Sequence, residues 1–359
     1  MHAGRIFDPS DREFGVLQLE TLMKAVGYKV PGPITEDAAL VDIDLPRPVP
    51  AGLDILVEVK AVSVNPVDYK VRGSTPPANG EWKVIGWDAA GIVRGVGPEV
   101  TQFVEGDEVY YAGSLIRPGT NAEFHLVDAR IVGRKPASLD WAEAAALPLT
   151  TLTAWEAMFD RLDVTKPVPG AAAAILIIGG AGGVGSIAIQ IARQRTDLTV
   201  ISTASRPETE EWVRGLGAHH VLDHSRLLAP QIAELNIGAP AFVFSTTHTE
   251  QHASDIAELI APQGRFGFID DPKALDVMLF KRKAVSIHHE LMFTRSLYGT
   301  PDMDEQGKIL DALAVLVDAG KIRTTLTKRL SPINAANLKT VHALIESGAA
   351  KGKIVLEGF

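Results

Sequence analysis

The stretch that most constrains this chain is Ile175-Leu176-Ile177-Ile178-Gly179-Gly180-Ala181-Gly182-Gly183-Val184-Gly185. Four successive large aliphatic residues read as a strand buried on both faces. The glycines then force a turn, after which Ile187 and Ile191 recur at helical spacing. Gly180-x-Gly182-x-x-Gly185 therefore lies between a strand and a helix, the setting in which such a string binds a dinucleotide. Gly180 permits the tight turn, Gly182 lets backbone approach a pyrophosphate, and Gly185 lets the helix pack on the strand. Gly183 and Val184 open the helix, whose free N–H groups and positive dipole end favour phosphate. The competing reading is a glycine-rich turn without a ligand. The same reading disposes of a membrane span: the uncharged run from Pro167 to Ala192 changes from strand to helix at its glycines.

The next strand bears on which dinucleotide is bound. An NAD site places an acid at that strand's end, where it grips the ribose 2′-hydroxyl. Here Thr199–Ser202 runs into Thr203-Ala204-Ser205-Arg206, and the first acid is Glu208. Hydroxyls and a guanidinium suit a 2′-phosphate instead. The expected cofactor is NADPH, with Ser205 and Arg206 as contacts. The alternative is that Arg206 only starts a helix.

Around this motif, residues 149–292 alternate apolar strands with helical patterns, from Ala173–Ile178 to a last strand at Ala284–Ile287. That rhythm predicts a doubly wound parallel sheet. Residues 23–148 are different: short strands such as Asp54–Ala61, Asp88–Val96, Glu108–Tyr111 and Glu123–Val127 are punctuated by Gly and Pro. Many short strands between turns suggest a partly closed β-barrel. The tail, 293–359, reads as helix Gln306–Ala319, an extended Ile322–Leu330, helix Asn334–Ser347 and strand Lys353–Leu356. Residues 1–22 show no clear period and are expected to be an extension, with a second start at Met23.

Composition excludes several classes. The chain has no Cys, which removes disulfides, thiolate nucleophiles and thiolate zinc sites. Lys+Arg 35 against Asp+Glu 44 gives a net charge of −9, without a dense basic run, so nucleic acid and anionic membranes are poor partners. The first residues carry Arg5, Asp8, Asp11, Arg12 and Glu13 and hold no apolar signal core. A cytoplasmic location is expected. His248 and His252 have the i, i+4 spacing of ligands on a helix, and His219-His220, His224 and His288-His289 are further candidates. None has an evident third ligand, so no metal is expected.

A β-rich first part, a nucleotide fold and a return segment resemble the medium-chain dehydrogenase/reductase superfamily. The resemblance runs from Met23 to Phe359 and rests on Val64-Asn65-Pro66-Val67-Asp68, Gly86-Trp87-Asp88-Ala89-Ala90-Gly91, Val96-Gly97, Phe103-x-x-Gly106-Asp107-x-Val109, Ala146-Leu147-Pro148 with Thr153-Ala154, and the glycine turn. Within the superfamily the chain is similar to the quinone oxidoreductase (zeta-crystallin-like) branch. Met292-Phe293-Thr294-Arg295 and Gly352-Lys353-Ile354-Val355-Leu356 resemble the group called zinc-type alcohol dehydrogenase-like proteins. This implies an α/β chain with a GroES-like partly open β-barrel and a Rossmann domain, divided as 23–148 and 293–359 against 149–292, and a homodimer paired through the edge strand. Zinc members carry Cys where this chain has Asn65, and Gly-His-Glu where it has Gly86-Trp87-Asp88. Trp cannot ligate a metal and Asn is a poor zinc ligand.

Without a Lewis acid, the acceptor must be activated by hydrogen bonds or be intrinsically electrophilic. The expected reaction is hydride transfer from NADPH to a quinone or an α,β-unsaturated carbonyl, a small-molecule electrophile. By position in the resembled motifs, Asn65 and Lys70 are candidates to stabilise the developing oxyanion, Lys70 standing where relatives carry Tyr and Tyr69 one residue early. Trp87 is a candidate wall for a planar substrate, the alternative being that it packs in the core. Thr153 falls on the nicotinamide side, and Tyr69, His288 and Phe293 at the substrate mouth, with His289 and Arg295 also near. Alternative readings are a carbonyl or enoyl-thioester reductase, and a non-catalytic NADPH-binding sensor.

Overall fold

In the computed structural model, which describes residues 21–359, the strand Asp54–Ser63 organises the first part of the chain. One edge pairs along its length with Ala89–Val96. The other edge is shared: its first half pairs with Phe124–Asp128 and its last residues with Lys353–Glu357. Register shifts at Leu56/Val57 and Val59/Ala61 bend it. A bulged strand with two partners on one edge curls rather than lying flat. The seven-stranded sheet so formed runs Leu326–Leu330, Lys353–Glu357, Asp54–Ser63, Ala89–Val96, Glu108–Tyr111, Val132–Arg134, with Phe124–Asp128 off that path. A small sheet of Val41–Pro46, Leu22–Tyr28 and Lys83–Val84 accompanies it. This is the barrel that the strand pattern predicts, in the GroES-like form that the family resemblance implies. The proposed extension, 1–22, falls almost wholly on residues 1–20, outside the described residues, while Met23, the proposed second start, lies within strand Leu22–Tyr28.

The second sheet is parallel and six-stranded, in the order His220–Leu222, Thr199–Thr203, Ala172–Ile178, Pro240–Ser245, Arg265–Phe268, Ser286–His289. Ala172–Ile178 is central, so both faces of its aliphatic run are buried. Ile175 and Ile177 join one cluster with Ile187 and Ile191, while Leu176 and Ile178 join another with Val243 and Ile256. The order changes direction at Ala172–Ile178, and the crevice beyond such a switch point is where α/β sheets bind ligands. No helix among the described residues is long and apolar enough to cross a membrane.

Three local features depart from the sequence reading. The helix Pro66–Ser74 was not expected; Pro66 opens it, and the Asp68 carboxylate accepts the Asn65 N–H at 2.7 Å. The helix Pro148–Trp155 runs on into a π-helical segment, Glu156–Arg161. The last strand begins at Ser286, not Ala284, because Ala284 sits in the left-handed region at φ 50. It does form the sheet edge.

Helix Ala335–Glu346 packs on Pro66–Ser74 and so backs the cleft described below. His342 is fully buried there with neither ring nitrogen hydrogen-bonded. Burial, aided by the Arg72 cation, pushes its imidazole down to about 3 from 6.5. The unfolded chain takes up a proton that the folded one refuses, so this site's contribution to stability is complete above pH 6.5 and is lost as pH falls toward 3. In His342→Leu the fall in Tm from pH 7 to 4 should be shallower than in the parent; parallel curves would show that His342 does not titrate this way.

Candidate active site

The C-terminal ends of the parallel strands open into a cleft of about 780 Å³. The barrel side supplies Asn65, Tyr69, Lys70 and Lys353, and the helix Pro148–Trp155 supplies Thr150 and Thr153. The sheet side supplies the glycine turn and the segments that follow each strand.

The glycines divide into two kinds. A Cβ on Gly180 would stand 1.7 Å from Ser202 Oγ, and one on Gly185 would stand 2.4 Å from the Gly179 carbonyl oxygen. These two are glycine because the turn has no room. A Cβ on Gly182 meets only the Gly179 carbonyl oxygen at 3.4 Å. The fold tolerates a side chain there, so its absence matters for what approaches from the cleft. Gly182 is also the N-cap of helix Gly183–Arg195, whose first N–H groups have no intrahelical acceptor. Gly183 and Val184 line the cleft with it. A dinucleotide's pyrophosphate fits this cradle.

Along one wall, Thr203, Ser205, Arg206 and His224 line the cleft. Thr203 Oγ1 accepts the Gly179 N–H at 3.0 Å and lies 3.1 Å from His224 Nδ1. Arg206 is half-exposed and paired with Glu208 at 3.1 Å. The carboxylates lining the cleft, Asp270, Asp271 and Glu290, follow strands on the other side of Ala172–Ile178. His248 and His252 line the cleft too, but His248 precedes helix Thr249–Leu259 in a left-handed conformation. Their sequence spacing therefore does not place both on one helix face. Among the described residues no three His, Asp or Glu are grouped to hold a metal.

At the cleft floor lies a buried polar network that the sequence reading missed. Lys353 Nζ donates to Asn65 Oδ1 and to the Val64 carbonyl oxygen at 3.1 Å, and stands 3.1 Å from Asp88 Oδ2. Asn65 Nδ2 donates to Asp88 Oδ2 at 2.8 Å, and Asp88 Oδ1 accepts the Leu149 N–H at 2.8 Å. Asn65, Asp68, Asp88 and Lys353 are at most 3% exposed. Burial raises the Asp88 carboxyl despite Lys353, and lowers the Lys353 ammonium despite Asp88. Burial likewise lifts Asp68 to about 7. The only signals for this network were an acid heading an apolar strand and a lysine in the closing motif.

The network revises three expectations. Asn65 spends its amide hydrogens on Asp88 and, at 3.4 Å, on the Ser63 carbonyl, leaving none for a substrate oxyanion. Trp87 is 1% exposed, donates its indole N–H to the Ser114 carbonyl, and packs edge-on behind Phe293 at 6.3 Å. Phe293 lines the cleft; Trp87 does not. His288 is still within the last strand, opposite Gly267, and the cleft opens only beyond it, at Glu290 to Phe293. Lys70 and Tyr69 do reach the cleft. Lys70 Nζ bonds Asp271 Oδ2 at 2.6 Å across its mouth, and both side chains are well exposed. Thr153 lines the cleft with its hydroxyl donated to the Leu149 carbonyl.

The family's zinc does not fit these residues. The Asn65 oxygen is taken by an ammonium, Trp87 faces elsewhere, and no thiolate exists. A cation placed beside Lys353 would meet like charge.

Lys353→Met should cost about 3–5 kcal/mol, because it leaves Asp88 buried without its cation; chemical denaturation measures this, and an unchanged midpoint would refute it. Gly185→Ala should lower Tm, since backbone must shift by overpacking. Gly182→Ala should keep Tm while losing nucleotide binding. Calorimetric titration separates the two, and retained affinity in Gly182→Ala would contradict the cradle assignment.

Two family models match the chain: the alcohol dehydrogenase GroES-like domain over residues 51–137 and the zinc-binding dehydrogenase over 216–356. The zinc-type alcohol dehydrogenase-like protein of Staphylococcus aureus (strain MSSA476) is 39% identical over 339 residues, covering 93% of this chain and 99% of that one. Among solved structures, a Rhizobium etli protein named for zinc-dependent alcohol dehydrogenase is 76% identical with a TM-score of 0.94, over 94% of this chain and 99% of that chain. The quinone oxidoreductase from Coxiella burnetii is 26% identical with a TM-score of 0.76, over 94% and 100%. With its barrel, its switch-point cleft and its glycine cradle, the chain belongs to the medium-chain dehydrogenase/reductase superfamily, in the quinone oxidoreductase branch.

Proposed function

We propose that this oxidoreductase uses NADPH to reduce a quinone or an α,β-unsaturated carbonyl, without zinc. The observation that carries the cofactor choice is the wall beyond Thr199–Thr203. Ser205 and Arg206 line it, and the cleft's carboxylates all follow strands on the opposite side of the glycine turn. A 2′-phosphate there meets a guanidinium and a hydroxyl; an NAD ribose would lack its acid. Arg206 gives up little to turn toward it, because its pair with Glu208 is exposed.

When bound, the nicotinamide supplies a hydride, two electrons with one proton. Gly182, Gly183 and Val184 would hold the pyrophosphate, and Thr153 would flank the nicotinamide. The acceptor's oxygen gains negative charge as its carbon is reduced. Asn65 holds the floor by fixing Lys353 and Asp88, so among the residues the motif nominated the donors for that oxygen are Lys70 and Tyr69. The Lys70–Asp271 pair is exposed and so weakly held, and Lys70 can exchange it for a substrate oxyanion at little cost. Tyr69 lines the same cleft, and its hydroxyl has no hydrogen-bond partner among the described residues. The name of the Coxiella relative supports a quinone acceptor.

Steady-state kinetics with 9,10-phenanthrenequinone and with an alkenal test this reading. NADPH should be preferred over NADH. Arg206→Ala should lose roughly 10- to 100-fold in kcat/KM for NADPH, the worth of hydrogen bonds to a charged group, while NADH use changes little. Equal or better use of NADH by the parent would overturn the cofactor choice. Tight NADPH binding with no turnover on either acceptor would replace the enzyme with a nucleotide sensor.

A further inference from the structure

Glu156 and Glu290 come from distant parts of the chain and meet under the cleft wall. Glu156 is fully buried at the start of the π-helical segment Glu156–Arg161, and π-turns recur at functional sites. Glu290 directly follows the edge strand, its side chain 1% exposed, and begins the run to Phe293 that lines the cleft. One oxygen of each carboxyl is spoken for. Glu156 Oε1 forms an ion pair with Arg295 Nη1 at 2.8 Å and accepts from Gln306 Nε2 at 3.0 Å, and Glu290 Oε2 accepts from Arg161 Nε at 2.8 Å. The remaining oxygens, Glu156 Oε2 and Glu290 Oε1, are buried and have no donor from any other residue. The two carboxyls lie within hydrogen-bond reach of one another.

Two buried carboxyls in contact, each with one oxygen that no donor reaches, cannot both be bare; one proton between them turns repulsion into a hydrogen bond. We propose that Glu156 and Glu290 share a proton, and that this acid pair is the positioning device that fastens the Glu290–Phe293 wall of the cleft to the π-turn. Every charged group around the pair is consistent with this. Arg295, on helix Thr294–Tyr298, is divided among Glu156, Asp160 and Asp302. Arg161 faces Glu290, and it and Arg265 both act on His288, in the edge strand that Glu290 follows. Gln306, on helix Glu305–Asp318, also donates to the Met292 carbonyl inside the wall. Two arginines thus serve four carboxyls, which leaves room for a resident proton. Burial, then the neighbouring Glu156, holds Glu290 up to about 8.

The inference rests on the reading of the cleft as a nicotinamide site only for its effect on turnover. Glu156→Gln places an amide N–H where the shared proton was and cannot lose it, whereas Glu156→Ala removes the link. The purified full-length protein is assayed for NADPH oxidation with 9,10-phenanthrenequinone from pH 6 to 9.5, and its Tm is recorded from pH 5 to 9. The parent should lose fivefold or more in kcat/KM on an alkaline limb near pH 8. Glu156→Gln should lack that limb, and Glu156→Ala should be low throughout with a raised KM. A limb unchanged in Glu156→Gln, or Gln and Ala variants that behave alike, overturns the proposal.

The thermal arm is independent of turnover. The proton is bound more tightly in the folded state than by an ordinary Glu at 4.5, so the parent loses stability as pH rises from there to about 8. Its Tm relative to Glu156→Gln should fall across that interval, and a constant difference overturns the shared proton. Absence of NADPH oxidation in the parent at every pH would instead sink the functional reading, with the thermal comparison still deciding the pair.

Discussion

Lys353 ties the two ends of the chain together at the place where the two domains face each other. Its strand closes the barrel against Asp54–Ser63, and its ammonium reaches Asn65, the Val64 carbonyl and Asp88. The residue before it, Gly352, donates its N–H to the Ala181 carbonyl in the glycine turn at 2.9 Å. Asp88 in turn accepts from Leu149 at the head of the next helix. One buried cation therefore sets the floor of the cleft, the entry of helix Pro66–Ser74 and the seat of the nucleotide turn against the barrel. Charges this deep are maintained only because each is paired and hydrogen-bonded.

The polar groups around the cleft sort by exposure, and exposure decides what they can do. The floor network is buried and fully engaged, so it shapes the site and does not reach out of it. Lys70 and Arg206 are held by exposed partners, Asp271 and Glu208. Such pairs are cheap to break, so these cations can turn toward a bound anion. The Glu156–Glu290 contact is a third case: buried, like-charged and viable only with a proton between the partners.

Much of the fold was legible because its signals are local. The Ile175–Ile178 run, the glycine turn and the helix after it follow from consecutive residues, and Gly180 and Gly185 are glycine for reasons of space that the turn imposes wherever it occurs. Helix Pro66–Ser74 was missed because its start is written in a capping interaction between Asn65 and Asp68 rather than in an apolar period. The sequence puts His288 at the cleft and leaves Trp87 open between cleft wall and core. Neither residue's distance from the cleft is encoded in its neighbours: one stops within the strand, the other stands behind Phe293.

The sequence by itself determined the nucleotide turn, the alternation that makes a parallel sheet, the missing acid beyond Thr203 and, through the lack of cysteine, the loss of the zinc thiolates. These are properties of residue type and short spacing. Only the tertiary structure decided that Lys353 would meet Asn65 and Asp88, that Asn65 would have no donor to spare, and that Glu156 would face Glu290. Apart from the two contacts of the Asn65 amide, those pairings join residues more than a hundred positions apart, and whether a polar atom is free or spent depends on burial, which a linear string does not carry.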